Sequence, residues 1–164
     1  MRVTLLDNLD IVYANLANVF SSAGRFIIFL ADKGTVCPLY WESRKIRRVV
    51  KSTLAAETLA AADAIDNAYY LGQILSQVLF DNKKEIPIEL YVDNKSLYDN
   101  VFSVKNVAEK RLRIDIAAIK ELVTDEKLNV NWVETKYQLA DGLTKKGVNP
   151  IKISNVFQTG FLEV

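Results

Sequence analysis

At 164 residues, 50% of them apolar, the chain has the size of one domain and can bury a sizeable core, which argues against two. It has no histidine and a single cysteine, so the usual zinc ligand sets and an internal disulfide are excluded; any metal must be held by oxygen, the donor set of magnesium or manganese. Net charge is only +1, no stretch of roughly eighteen apolar residues occurs and no secretory leader is evident, so a soluble, intracellular setting without a membrane partner is expected.

In chain order, GRFIIFLA (24 to 31) and TVCPLYW (35 to 41) are β-rich runs, and Asp32, Lys33 and Gly34 between them predict a hairpin. Cys37 has no histidine to activate it and reads as a small buried hydrophobe in its strand. The next stretch, ESRKIRRVVK (42 to 51), carries five basic groups against one acid. Residues 52 to 82 then carry Glu57, Asp63, Asp66 and Asp81 with no lysine or arginine. A basic patch therefore runs into an acidic helix. Such a patch is either a solvated connector or a phosphate contact.

From Ser52, a candidate N-cap, to about Leu79, the positions Leu54, Thr58, Ala62, Ile65, Ala68, Leu75 and Leu79 recur at near-helical spacing and predict a long core helix. In IPIELYVD (86 to 93) the apolar residues Ile86, Ile88, Leu90 and Val92 share one parity, so this is a strand that ends in an acid. Helical spacing returns over 107 to about 126, LNVNWVE (128 to 134) alternates as a strand, and YQLADGLTKK is a short helix. Trp41 and Trp132 fall in predicted strands and read as core. The order of elements predicts a mixed sheet covered by helices, with the Asp93 strand joined in parallel by a right-handed crossover. Ligands in such sheets lie beyond the carboxyl ends of the parallel strands, which is where Asp93 stands.

Three acids sit in apolar sequence: Glu57 in STLAAETLA, Asp93 in YVDNKSL and Asp141 in QLADGLTKK. Singly, each has a plain explanation, as a solvated helix face, a helix cap or an exposed helical acid. Together, acids converging on one sheet end would repel one another unless a cation bridged them.

The strings PLYWESRKIRRVVKSTLAAETLA, ELYVDNKSLYDN, EKRLRIDIAAIKEL and WVETKYQLADGLTKKG resemble the ribonuclease H domain of copia-type LTR retrotransposon polyproteins. The likeness runs from about Asp10 to Gly147. It implies an α/β ribonuclease H-like fold: a five-stranded mixed sheet, its first three strands antiparallel, flanked by helices. Residues 1 to 147 would form that domain, and 148 to 164 a tail able to form a short docking helix. It also implies a metal-dependent endonuclease that cuts the RNA strand of RNA–DNA hybrids, using four carboxylates and two magnesium ions, or manganese in their place. Glu57, Asp93 and Asp141 match the second, third and fourth acids. For the first, YANL and SSAG in LDIVYANLANVFSSAGRF select Asp10, with Asp7 as the rival. By resemblance, Asp10 and Asp93 share both ions, Glu57 holds the ion nearer the leaving group, and Asp141 the ion carrying the nucleophilic water.

This chain departs from the family beside that first acid. Ile11 and Val12 replace small polar residues, ANVF replaces the Pro/Gly turn, and Arg25 stands where a second glycine is common. A catalytically decayed, repurposed nucleic-acid-binding or structural domain is therefore the alternative. A transposase or integrase of the same fold fits the basic run and LADGLTK less well. Candidate substrate contacts are Arg44, Lys45, Arg47, Arg48 and Lys51 for phosphates, with Ser52, Thr53 and Asn94 for 2′-hydroxyls or as helix caps. Arg111 and Arg113 read first as members of an intrahelical ion-pair network. The expected partners are the hybrid and a reverse transcriptase domain of the same polyprotein, in the cytoplasm or in retroelement particles.

Overall fold

The computed structural model describes residues 10–18, 22–30, 35–47, 50–104, 107, 109–110, 112–144 and 151–162, and the side chains of all of these but 10–18, 22 and 144. Five strands, β1 (Asp10–Asn18), β2 (Ser22–Leu30), β3 (Val36–Lys45), β4 (Ile88–Val92) and β5 (Asn129–Trp132), form one sheet in the order β3-β2-β1-β4-β5. β1, β2 and β3 pair antiparallel in succession, whereas β4 joins β1, and β5 joins β4, in parallel. The parallel joins need long crossovers, supplied by α1 (Thr53–Phe80) before β4 and by α2 (Lys95–Phe102) and α3 (Leu112–Thr124) before β5. A register shift between Ile27 and Ile28 brings Pro38 opposite Ile28. A bulge on an outer strand is one of the few places where a residue without an N–H is tolerated. The predicted hairpin at Asp32, Lys33 and Gly34 lies outside the described residues.

Alternation along β2 and β4 decides which helix covers which face. Ile27, Ile88, Leu90 and Val92 meet Ala61, Ile65 and Ala68 of α1 in the main core. The alanine-rich face of α1 lets the helix lie close to the sheet, with Ala56 and Ala60 packed on Ala23. Ser52 starts it: its hydroxyl accepts from the Ala55 amide at 3.1 Å. The other face of the sheet, Phe26, Ile28 and Tyr91, is covered by Ala140 and by Ile153 and Val156. These belong to the segment of α4 (Asp141–Thr144) and to α5 (Ile151–Thr159).

The division at residue 147 does not correspond to a break in packing. α5 supplies Ile153 and Val156 to the second core, the Phe157 ring stands edge-on to Trp41 at 4.8 Å and to Phe26 at 5.9 Å, and the Val36 amide donates to the Gly160 carbonyl at 2.8 Å. Three burial expectations are also corrected. Cys37 is exposed, Trp41 is 52% exposed and Trp132 is 43% exposed. All three lie on β3 or β5, the outer strands, where a side chain lacks a neighbour on one flank and alternation alone overstates burial. No helix among the described residues is long and apolar enough to cross a membrane.

Candidate active site

Glu57 lies one turn into α1, only 3% exposed. Its neighbour Ala56 packs on Ala23, which is paired with Ala17 near the carboxyl end of β1. Val92, the last residue of β4, is paired with Asn15 of the same strand. Glu57 therefore stands at the sheet edge where β1 and β4 end, on the α1 side. Asp93 leaves β4 at that edge and is partly buried. Asp141 opens α4 on the opposite face and is 7% exposed. It is brought there by the preceding turn: Ala140 shares a cluster with Phe26 and Tyr91, and the Gln138 amide donates to the Tyr91 carbonyl at 3.3 Å. Three acids far apart in sequence are thus carried by segments that end near this part of the sheet: one helix, one strand end and a second helix.

Asp10 is not brought with them. β1 and β4 run in parallel with Ile11 beside Ile88 and Asn15 beside Val92, so Asp10 is at the amino end of β1, opposite Leu30 of β2. Extending the same register, the β1 residue level with Asp93 is Leu16, about 20 Å further along the strand. In this backbone register Asp10 lies away from that edge, and its rival Asp7 lies outside the described residues.

The carboxylate donors suit a hard cation, and no histidine or thiolate competes at this edge. Among the described residues no three His, Cys, Asp or Glu side chains close into a group that could hold a metal. Magnesium is nevertheless commonly held by one or two carboxylates, with waters and substrate phosphate completing its shell, so an open set of acids fits it better than it fits calcium or zinc.

The substrate-contact candidates divide. Lys45, Arg47, Lys51 and Thr53 are exposed along the approach to α1. Arg48 and Arg111 lie outside the described residues. Arg44 is engaged by Asp63 and by Glu42, and the hydrogen bond it donates to Asp63 raises its already high pKa. Ser52 and Asn94 act as caps: Ser52 on Ala55, with its hydroxyl donating to Glu109 at 3.3 Å, and Asn94 accepting from the Leu97 amide at 2.9 Å. Arg113 donates to the Val107 carbonyl at 2.9 Å.

Two features near the edge were not legible in the sequence. Arg25, 1% exposed on β2, meets Glu42 of β3 at 3.2 Å and Asp63 of α1 at 3.0 Å, tying the helix that carries Glu57 to two strands. Trp132 donates its indole N–H to the Asp93 carbonyl at 3.1 Å. The only signals in the sequence were an arginine in place of a common glycine and an aromatic residue at a strand end.

No family model matches the sequence, and no curated protein matches it. Solved structures do. A ribonuclease H1 from compost, LC11, crystallised in complex with an RNA/DNA hybrid, superposes with a TM-score of 0.56 at 18% identity, covering 83% of this chain and 93% of that one. The N-terminal ribonuclease H domain of a Mycobacterium tuberculosis protein, fused to maltose-binding protein, gives 0.56 at 15% identity over 82% and 89%. Ribonuclease H1 from Halobacterium salinarum gives 0.52 at 15% identity over 81% and 90%. At these identities the likeness is one of fold.

Proposed function

We propose that this chain, with its ribonuclease H-like fold, is a metal-dependent endonuclease hydrolysing the RNA strand of RNA–DNA hybrids in the reverse transcription of a copia-type retroelement. The observation that supports the reading is that the immediate neighbours of Glu57, Asp93 and Asp141, namely Ala56, Val92 and Ala140, pack on or pair with the carboxyl-terminal halves of β1 and β4 or the strand beside them. Two bound magnesium ions would supply an activated water and stabilise the leaving 3′ oxygen. Glu57, Asp93 and Asp141 would hold those ions, and their negative charge offsets much of the cationic charge until substrate phosphate arrives. The exposed Lys45, Arg47 and Lys51 would pair with backbone phosphates, leading the hybrid toward the start of α1. In this reading the partners are the hybrid and a reverse transcriptase domain, within the cytoplasm or a particle.

The second reading is a noncatalytic hybrid-binding domain, and one observation favours it: β1 presents no acid at the level of Asp93. A cleavage assay on a labelled hybrid with magnesium separates the two. The nuclease reading expects the parent protein to cut and Asp93→Asn to lose at least about a hundredfold in rate, consistent with removal of a metal-binding group. A parent that binds hybrid without ever cutting it establishes the second reading.

A further inference from the structure

We infer that Trp132 and Lys95 form a nucleic-acid contact next to Asp93, at which one strand of the hybrid stacks a base or sugar on the indole while a neighbouring phosphate pairs with the lysine. The inference deepens the reading above and rests on the hybrid being the ligand.

Trp132 is the last residue of β5, paired with Val92, and so stands beside the point where Asp93 leaves the sheet. The residue is 43% exposed although large apolar side chains are ordinarily covered, and its one polar atom is already used by the Asp93 carbonyl. That bond anchors the ring at the strand end, where part of it stays exposed beside Lys95. A fixed, exposed indole offers stacking at little ordering cost. Lys95, at the start of α2, holds its ammonium 5.6 Å from the Trp132 ring centre and 4.4 Å from that of Tyr98. Its acidic partner is Asp99 at 3.0 Å, with both side chains 59% exposed. A pair this solvated binds weakly and yields readily to a phosphate.

The combination repeats on the segment leading to Asp141. Tyr137 is 54% exposed, with the Lys136 and Lys152 ammonium groups 4.8 and 5.2 Å from its ring centre. Within a duplex the base faces are stacked on one another, so exposed aromatic rings interleaved with lysines suit the sugars and charged linkages along one strand, or the base at its end. The basic run after β3 lies at the other border of the five-stranded sheet, about 19 Å away across four strand spacings. Contacts on both borders suit a duplex laid across the acid edge, one strand to each side.

The test uses the full chain and a fluorescent RNA–DNA hybrid with EDTA present, so that binding is read without cleavage. Trp132→Ala is expected to bind about tenfold more weakly than the parent, with Trp132→Phe recovering most of the loss. Lys95→Gln is expected to lower the slope of log affinity against log salt by about one. The chain has two tryptophans, so in a Trp41→Phe background emission comes from Trp132 alone, and saturating hybrid is expected to quench it. Unchanged Trp132 emission under saturating hybrid, or no binding by the parent, overturns the inference. A protein that binds through Trp132 yet never cleaves upholds the inference and refutes the nuclease reading. Cleavage with an unaffected Trp132 does the reverse.

Discussion

Arg25 shows how a single residue can depend on partners the chain supplies much later. Its guanidinium is buried against Glu42 and Asp63, the latter two helical turns beyond Glu57, so it joins the sheet to the helix that delivers an acid to the edge. Arg25→Ala should cost about 3 kcal/mol in urea unfolding, toward the low end for a broken buried pair, because Asp63 and Glu42 keep access to water. Nothing local in GRFIIFL announces this, since the pairing is created by tertiary structure. Glu57 was legible for the opposite reason: an acid amid alanines at helical spacing contrasts with its own neighbours. Asp10 was selected by motif order, yet motif order carries no information about strand register, and register decides what reaches the edge. Asp10→Asn should therefore reduce hybrid cleavage far less than Asp93→Asn under identical magnesium. Equal losses would mean that β1 works in a register about six residues from the one described.

Among the elements, α1 was read almost to the residue because its signals are local and agree: a serine cap, an apolar stripe and no glycine until Gly72. Ser52→Ala should lower stability by about 1 kcal/mol, while Ser52→Asn should keep it, as expected of a cap. If Ser52→Asn matched the parent in unfolding but lost hybrid affinity, Ser52 would be a substrate contact as well. Shorter elements were harder to read. The helix expected from 107 begins in fact at Leu112, and within YQLADGLTKK only Asp141–Thr144 is α-helical among the described residues, while a 3-10 turn, Thr135–Tyr137, ends at its first residue. Elements of one or two turns hold too few apolar positions for a period to declare itself, and their ends are set by contacts such as Gln138 with Tyr91. The outer strands misled in burial for a related reason: alternation identifies a face, but not whether a neighbour exists to cover it.

For the molecule as a whole, the second core was the least legible part, because it joins β2 to a helix more than a hundred residues away. The tail expected to be able to form a short docking helix contains α5, which covers Phe26, Ile28 and Val36. Truncation after Gly147 should uncover these side chains and lower the melting temperature by about 10 °C or more, given about 1.5–3 kcal/mol for each large apolar side chain re-exposed. Circular dichroism would measure the shift, and Trp41, which loses the Phe157 ring, should emit further to the red. The exposed sulfur of Cys37 offers a further opportunity. As the lone thiol of the chain, opposite Phe29 on a border strand and away from the end where Asp93 emerges, it accepts one maleimide dye per molecule without mutagenesis. Energy transfer from that dye to a labelled oligonucleotide would then reveal which way round the duplex lies.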